Sequence, residues 1–535
     1  MVLVLLAAAV SGAMPRNPEG DWFRSIEQPA QTTLLVVVGI GVALAWRWTA
    51  ISAVLIALGG VGLAVLSAIA YPPAVAVVVA VGFLAPAVML WVAWQRHETL
   101  LRIALLAVLT SSLLVGAWAA ADATYQHFFG PAHPASTTQA LDDPVVDWAW
   151  AGGVGDSEFT VVAKPVSHVE RMTVIVTTEA GADVEEIETP VVDGVARVVV
   201  GGLQPSTEYR YRFAVDEAAT SAWLGEVRTF ASDDGTDSSE DVVIALSSCA
   251  RTGSNGQVFD AIRSVDPDLY LITGDMHYSN ISRNDIDAFD RAYDSVLTAP
   301  AQAALYRSAP VAYVWDDHDY SGNDGDASSP SRPAARASYV RNVPHYPLAG
   351  PTGINQAFSI NGVRVVLLDT RSAREPGATL LGVEQMDWLQ AELLQSARTH
   401  DLVVVVSPTP WIGTPSDTSD SWAGFADERR ELSDFIAEHD LDNLMIASGD
   451  AHMVAIDDGS NADYSASGNA AVPVLQAAAL DRPGNVKGGP YSEGTFPGAG
   501  QFGVIRVHRR DDATTVTLEG HRYDGETFVT WSFDL

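Results

Sequence analysis

Cysteine is nearly absent. Cys249 is the single one in 535 residues, so no disulfide can form within the chain and cysteine usage says nothing direct about redox compartment. Positive charge is also scarce, with 31 Lys and Arg against 66 Asp and Glu and a net charge of −35. Phosphate-backbone contacts need clusters of Lys and Arg, so nucleic acid is excluded as a stable partner. Residues 1–121 lack charge of either sign almost entirely: they hold Arg16, Arg24, Arg47, Arg96 and Arg102 against Glu19, Asp21, Glu27 and Glu98. That leaves 26 basic and 62 acidic side chains in residues 122–535. An almost uncharged hydrophobic front therefore precedes a strongly acidic body, whose charge suits a soluble, metal-binding surface.

The front carries long apolar stretches at about 31–47, 51–70, 74–94 and 103–120, each near the ~20 residues a spanning helix needs. Residues 1–13 form a shorter one, without the positive charge that opens a signal peptide, and read as a short first span. Arg47 and the Arg96–Arg102 loop place those turns in the cytoplasm by the positive-inside rule, which puts everything after about residue 121 outside. The spans contain no Asp, Glu or Lys of the kind that marks an ion or substrate pathway, so residues 1–121 read as an anchor in the lipid bilayer. The expected location is the cell membrane, multi-pass, with the acidic body extracytoplasmic.

Residues 145–231 show strand-length alternating runs, such as RMTVIVTTE (171–179) and TEYRYRFAV (207–215), and predict a β-sandwich. Leu203 to Phe213, LQPSTEYRYRF, resembles the fibronectin type III signature, with Tyr209 in the place of a corner tyrosine. SDDGTDSSED (232–241) is a polar linker. Residues 242–535 read as an α/β domain. Buried strands are predicted in VVIALSSCA (242–250), PDLYLITGD (267–275), APVAYVWDDHD (309–319), NGVRVVLLDTR (361–371), DLVVVVSPTPW (401–411) and DNLMIASGDAH (442–452). Helices are predicted over 256–265, 384–397 and 428–439, and the tail reads as antiparallel strands.

The strands end alike, in Ser-Ser-Cys, Gly-Asp, Asp-Asp-His and Gly-Asp-Ala-His. Open α/β sheets gather ligands beyond the carboxyl ends of their strands. Three carboxylates crowd His318 in AYVWDDHDYSGND (312–324), and crowded like charges raise one another's pKa unless a cation holds them. Asp275 can bridge two cations through its two oxygens, and Tyr278 can reach one of them as a phenolate. A phenolate beside the Cys249 thiolate favours a trivalent or soft-tolerant ion such as iron. Asp450 and His452 can address neighbouring cations, and Asp317 offers the second a hard oxygen suited to calcium, magnesium or manganese. His318 is left free as a general acid or to orient substrate. Two cations ~3.5–4 Å apart would clamp an in-line displacement at phosphorus by a metal-activated hydroxide, so the expected substrate is a phosphate ester.

At SSCA (247–250), GDMHY (274–278), WDDHD (315–319), DTR (369–371), LGVEQMDWLQAELL (381–394), DSWAGF (420–425) and SGDAH (448–452) the chain resembles the PhoD-like alkaline phosphatases, within the calcineurin-like metallophosphatase superfamily. The resemblance covers roughly 145–535. It implies a four-layer α/β/β/α sandwich, preceded here by the small β-sandwich and the bundle of transmembrane helices. It also implies an iron–calcium centre, with manganese, magnesium or zinc as alternatives. Carried over, Cys249, Asp275, Tyr278 and His452 fall on the iron side; Asp275, Asp317, Asp450 and Asn323 fall on the calcium side. His318 falls at the family's active-site histidine, with Asp275 beside it in the catalytic set. Arg371 is a candidate for phosphate contact, a structural salt bridge being its alternative. Ser279 stands where the family usually has an acidic residue, His277 where an apolar or aromatic one is common, and Asp319 where glutamate is frequent. No twin-arginine signal is present, and the membrane block takes its place. The function expected is a membrane-anchored phosphomonoesterase or phosphodiesterase. A phospholipase D-like or cell-wall phosphodiesterase, and a catalytically degenerate receptor or transporter subunit, are the competing readings.

Overall fold

The computed structural model describes residues 47–70, 73–96, 134–178, 183–215, 219–232, 241–416, 419–482, 484–510 and 513–535, with isolated positions between 34 and 44. The chain divides into two compact units, 1–130 and 131–535. In the first lie α1 (Thr49–Ala70) and α2 (Pro73–Arg96). Ala53 and Ile56 of α1 pack with Ala87 and Leu90 of α2, while Ile51, Val54, Leu58, Val61, Val81 and Val88 stay exposed. Among the described residues no helix is long and apolar enough to cross a membrane; the side chains of 66–79 are not among them. The spans expected at 1–13 and 103–120, and most of 31–47, lie outside the described residues, as does most of the linker.

The second unit opens with β1 (Val146–Gly152), β2 (Phe159–Pro165), β3 (Arg171–Thr178), β4 (Asp183–Val192), β5 (Val195–Val200), β6 (Glu208–Val215), β7 (Ala219–Thr220) and β8 (Gly225–Arg228). One row is β1-β2-β5 and the other β4-β3-β6, with β8 on β6 and β4 bonded to both rows. Tyr209 is buried where β6 begins, and its hydroxyl accepts the Gln204 N–H at 2.9 Å, tying the turn to the strand.

The α/β part begins with β9 (Val242–Ser247), β10 (Leu269–Thr273) and β11 (Val311–Val314), mutually parallel. β11 also meets β1, so the small β-layer and the α/β sheet form one fourteen-stranded sheet. A second sheet has the order β12-β13-β14-β15-β17-β16-β18. Its strands are β12 (Gln356–Ile360), β13 (Val363–Leu367), β14 (Leu402–Ser407), β15 (Leu444–Ser448), β16 (Met453–Asp457), β17 (Val474–Ala477) and β18 (Thr495–Pro497). The antiparallel tail, β19 (Gln501–Arg510), β20 (Ala513–Arg522) and β21 (Thr527–Asp534), flanks β9.

The continuous apolar runs follow from this layering. Successive residues of a strand face opposite sides, and both sides of the second sheet are covered. Val404 and Val406 of β14 join Ile244 and Leu246 of β9 in the core between the sheets. Val403 and Val405 instead join Leu389 and Leu393 of α8 (Val383–Ser396) and Leu432 and Ile436 of α9 (Ala426–Glu438). Against the first sheet lie α3 (Val258–Ser264), α4 (Ile286–Leu297) and α5 (Pro300–Ser308), through Phe259, Phe289, Val296 and Leu305. The layers are therefore helix, sheet, sheet, helix. The parallel strands of both sheets send their carboxyl ends to one rim. The turn α6 (Asp317–Tyr320) follows β11 there, and α7 (Arg332–Asn342) lies beyond it.

Candidate metal centre

Each tip delivers one piece of the centre. Gly274 follows β10 at φ +88°, and a Cβ there would lie 2.4 Å from the Cβ of Asp316, so only glycine lets the β10 and β11 tips approach. Asp275 comes next at φ +54°. Cys249 (φ +62°), Asp450 (φ +62°) and His452 (φ +54°) share this left-handed conformation. It costs side-chain-bearing residues about 1–3 kcal/mol each and persists only where the surroundings impose it.

Asp275 is the hub. Tyr278 Oη donates to its Oδ2 at 2.6 Å, and Cys249 Sγ lies 3.6 Å from the same oxygen. Tyr278 Oη is also 3.2 Å from His452 Nε2. On the other flank, Asp275, Asp317 and His318 offer ligand atoms within 4.8 Å of one another, as do Asp275, Asp316 and Asp450. Asp317 is fixed by the backbone N–H groups of His318 at 2.7 Å and Asp324 at 2.8 Å. The His318 ring lies 4.0 Å from that of Tyr278, and its Nδ1 is 2.5 Å from Asn280 Oδ1.

Without a cation this cluster is electrostatically uncomfortable. Burial, then Asp317, Asp319 and Asp450, push the Asp275 carboxyl well above the usual carboxylate range. Burial, Asp275 and Asp450 push the Cys249 thiol up. Burial, Asp275 and Cys249 do the same to the Tyr278 phenol, against the opposing pull of Arg482, whose guanidinium lies 4.0 Å over the ring. Burial and then Lys487 bring His452 down to about 3, which keeps its imidazole neutral and able to bind a metal. Burial works to raise Asp317 as well, but His318 and Arg371 leave it below its ordinary value.

Asp275 Oδ1 and Asp316 Oδ2 are buried without a hydrogen-bond partner among the described residues. Leaving such an atom unpaired costs about 1–3 kcal/mol, more for a charged group. Orphaned carboxylate oxygens beside a thiol, a phenol and a neutral imidazole fit a metal pair, because bound cations reverse the local pKa order.

Not every candidate joins the cluster. Asn323 is exposed in the turn after α6, and its neighbour Asp324 is the residue that approaches Asp317 and Asp420. Arg371 is fully buried: Nε meets Asp316 at 2.5 Å, and Nη1 and Nη2 meet Asp420 at 2.9 and 3.1 Å. Its three nitrogens all serve carboxylates, which is the salt-bridge alternative. Asp319 accepts the backbone N–H groups of His277 and Asp316. His277 is buried against Tyr293, with its Nε2 unpartnered among the described residues. Sequence reasoning gave no role to Asp420, Arg482, Lys487 or Asn280; only Asp420 had a signal, its place in DSWAGF.

The fold is α/β and metallophosphatase-like. Residues 244–478 match the family described as PhoD-like phosphatase. Alkaline phosphatase D of Bacillus subtilis is 27% identical over 186 residues, 28% of this chain and 32% of that protein. Purple acid phosphatase 21 of Arabidopsis thaliana is 24% identical over 219 residues, 41% and 44% of the two chains. The chain thus spans less than half the length of these curated relatives. Among solved structures, PhoD superposes with a TM-score of 0.59 at 16% identity, over 74% of this chain and 91% of that one. The purple acid phosphatase PPD1 of yellow lupin gives 0.51 at 13%, over 72% and 73%. At these identities the structural likeness speaks for the fold.

Proposed function

We propose that the chain is a membrane-anchored, extracytoplasmic phosphatase that hydrolyses phosphate monoesters, diesters or both at a two-metal site. The observation that carries the reading is Asp275, whose Oδ2 meets Tyr278 and Cys249 while its Oδ1 is left buried and unpartnered beside Asp316, Asp317 and Asp450. Cys249, Asp275, Tyr278 and His452 would hold one cation, with iron suited to the thiolate and phenolate. Asp275, Asp317, Asp450 and Asp316 would hold the other, with calcium, magnesium or manganese suited to carboxylate oxygens. A cation pair so held supplies positive charge that offsets the charge on the phosphoryl oxygens. His318, partly exposed at the edge of the cluster and oriented by Asn280, is placed to give a proton to the leaving oxygen. Arg371 would act through Asp316 and Asp420 as a positioning residue.

The test is turnover of p-nitrophenyl phosphate and bis-p-nitrophenyl phosphate by purified, metal-replete protein, with and without chelator. Chelator-sensitive turnover is expected; none with either substrate refutes the enzyme reading. The anchoring half rests on the charge-poor front. α1 and α2, which give no span among the described residues, belong to that front. Their exposed Ile, Val and Leu side chains suit lipid. A reporter fused after residue 121 that is active only in the cytoplasm would overturn this topology. Residues 145–231 would then be a fibronectin III-like layer joined to the enzyme's sheet through β1 and β11, its buried Tyr209 corner being the motif that supports it.

A further inference from the structure

Among 31 basic side chains the chain holds only two lysines, Lys164 and Lys487. Lys164 pairs with Asp294 instead. Lys487 stands in the metal centre. Its Nζ lies 2.7 Å from Oδ1 and 2.7 Å from Oδ2 of Asp450, so one ammonium occupies both oxygens of a carboxylate that also converges with Asp275 and Asp316. The placement is built by the backbone on either side. The Asn485 N–H donates to the His452 carbonyl at 3.0 Å. Gly488, at φ +73°, packs so closely on Ile412 that a Cβ would lie 2.0 Å from its carbonyl oxygen. Between these two anchors the lysine side chain keeps 38% of its surface exposed while Asp450 keeps 7%. The ammonium can therefore withdraw into solvent without opening the core, whereas the carboxylate cannot follow it.

A divalent cation and this ammonium compete for the same two oxygens. Arginine would hold the carboxylate with a rigid planar fork; lysine offers a compact charge on a flexible stem that leaves easily. We propose that Lys487 is a built-in exchangeable counter-cation of the centre. It neutralises Asp450 while that carboxylate has no metal, is displaced toward solvent when a divalent cation takes the position, and so sets how much free metal is needed to load the site. The inference rests on the two-metal reading above.

The experiment uses the full-length chain, stripped with chelator and freed of it by dialysis, then titrated calorimetrically with Ca²⁺ or with Mn²⁺ alone. Lys487→Met should bind the ion at least tenfold more tightly than the wild type, since the competitor is gone, and Lys487→Arg should bind no more tightly than the wild type. A second readout is thermal unfolding. Stripped Lys487→Met should melt below stripped wild type, because Asp450 has lost that ammonium, and saturating ion should close or reverse that gap. Equal or weaker ion binding by Lys487→Met, or an equal loss of melting temperature in stripped and loaded protein, overturns the inference and makes Lys487 an ordinary structural partner of Asp450. Failure of both ions to bind either protein removes the two-metal reading and the inference with it; equal binding by both proteins removes the inference alone.

Discussion

Stripping the metals should make the protein sensitive to alkali. Asp275, Asp316 and Asp450 bring oxygens within 4.8 Å of one another. At an effective dielectric near 20, each ionised pair at that distance repels by about 3 kcal/mol, enough to move a pKa by about two units. Asp275 and Asp316 are accordingly held well above the usual carboxylate range, burial being the larger cause in both. Asp319 behind them is pushed by burial up to about 7. A group whose folded pKa lies above its unfolded value stabilises the fold below the unfolded value, and that contribution is lost as pH rises through the folded one. For Asp319 the window runs from about pH 4 to about pH 7 and is worth about 4 kcal/mol at ~1.4 kcal/mol per unit. Asp275 and Asp316 act in the same direction. Asp317, held low, contributes stability that is lost only in acid below its unfolded value, so it does not cancel the effect. For a unit of this size 4 kcal/mol is about 5 °C in melting temperature. Scanning calorimetry at pH 5 and pH 8, on stripped and metal-replete protein, is the assay. Between pH 5 and pH 8 about two of those three units are crossed, so Asp319 alone should cost the stripped protein about 3 °C, and Asp275 and Asp316 add a loss that bound metal removes. A stripped protein equally stable at both pH values, or a gap that narrows with rising pH, would refute the electrostatic account of the cluster.

Other substitutions separate the roles of individual residues. Cys249→Ser should lower metal content at one of the two positions, read by elemental analysis of purified protein; unchanged content with full activity would remove Cys249 from the site. His318→Asn should lower kcat by about 10²–10⁴-fold, the usual weight of a general acid, with metal content unchanged. A matching loss of metal would make His318 a ligand instead. Arg371→Met strands the buried Asp316 without its cation, while Asp420 keeps Arg374, and should cost about 3–5 kcal/mol in denaturant unfolding. A normal unfolding midpoint with a raised KM would return Arg371 to phosphate contact.

The parts of the fold legible in the sequence are those with a local cause. Six buried strands announced themselves as apolar runs because both faces of each sheet are covered there: each sheet covers the other, with α3, α4 and α5 outside the first and α8 and α9 outside the second. Met386, Leu389 and Leu393 marked α8 by helical spacing, and all three are buried. The same signal ran through Phe289, Ala292, Tyr293 and Val296 of α4, a helix the reading passed over between two louder motifs. Pairings made across distance left no trace. The β1–β11 contact that fuses the two β-layers, the Asp316–Arg371 pair 55 residues apart and the Asp450–Lys487 pair 37 apart depend on register and on where loops return.

The backbone itself supplies a pointer independent of the motifs. Left-handed conformations fall to glycine, and less often to asparagine or aspartate, because a Cβ is penalised there. At the strand tips that conformation is occupied by Cys249, Asp275, Asp450 and His452. Glycine would relieve the strain at each position but offers no donor atom, so the sequence accepts a local cost of about 1–3 kcal/mol per residue. Sites where local preference is overruled in this way are where function is to be sought. Four residues of ligating type, from three strand ends, overruled in the same way around one orphaned carboxylate oxygen, are difficult to explain as packing. A glycine at any of them should relieve the backbone and remove a donor atom, an opposition that a metal centre built from these four residues would impose.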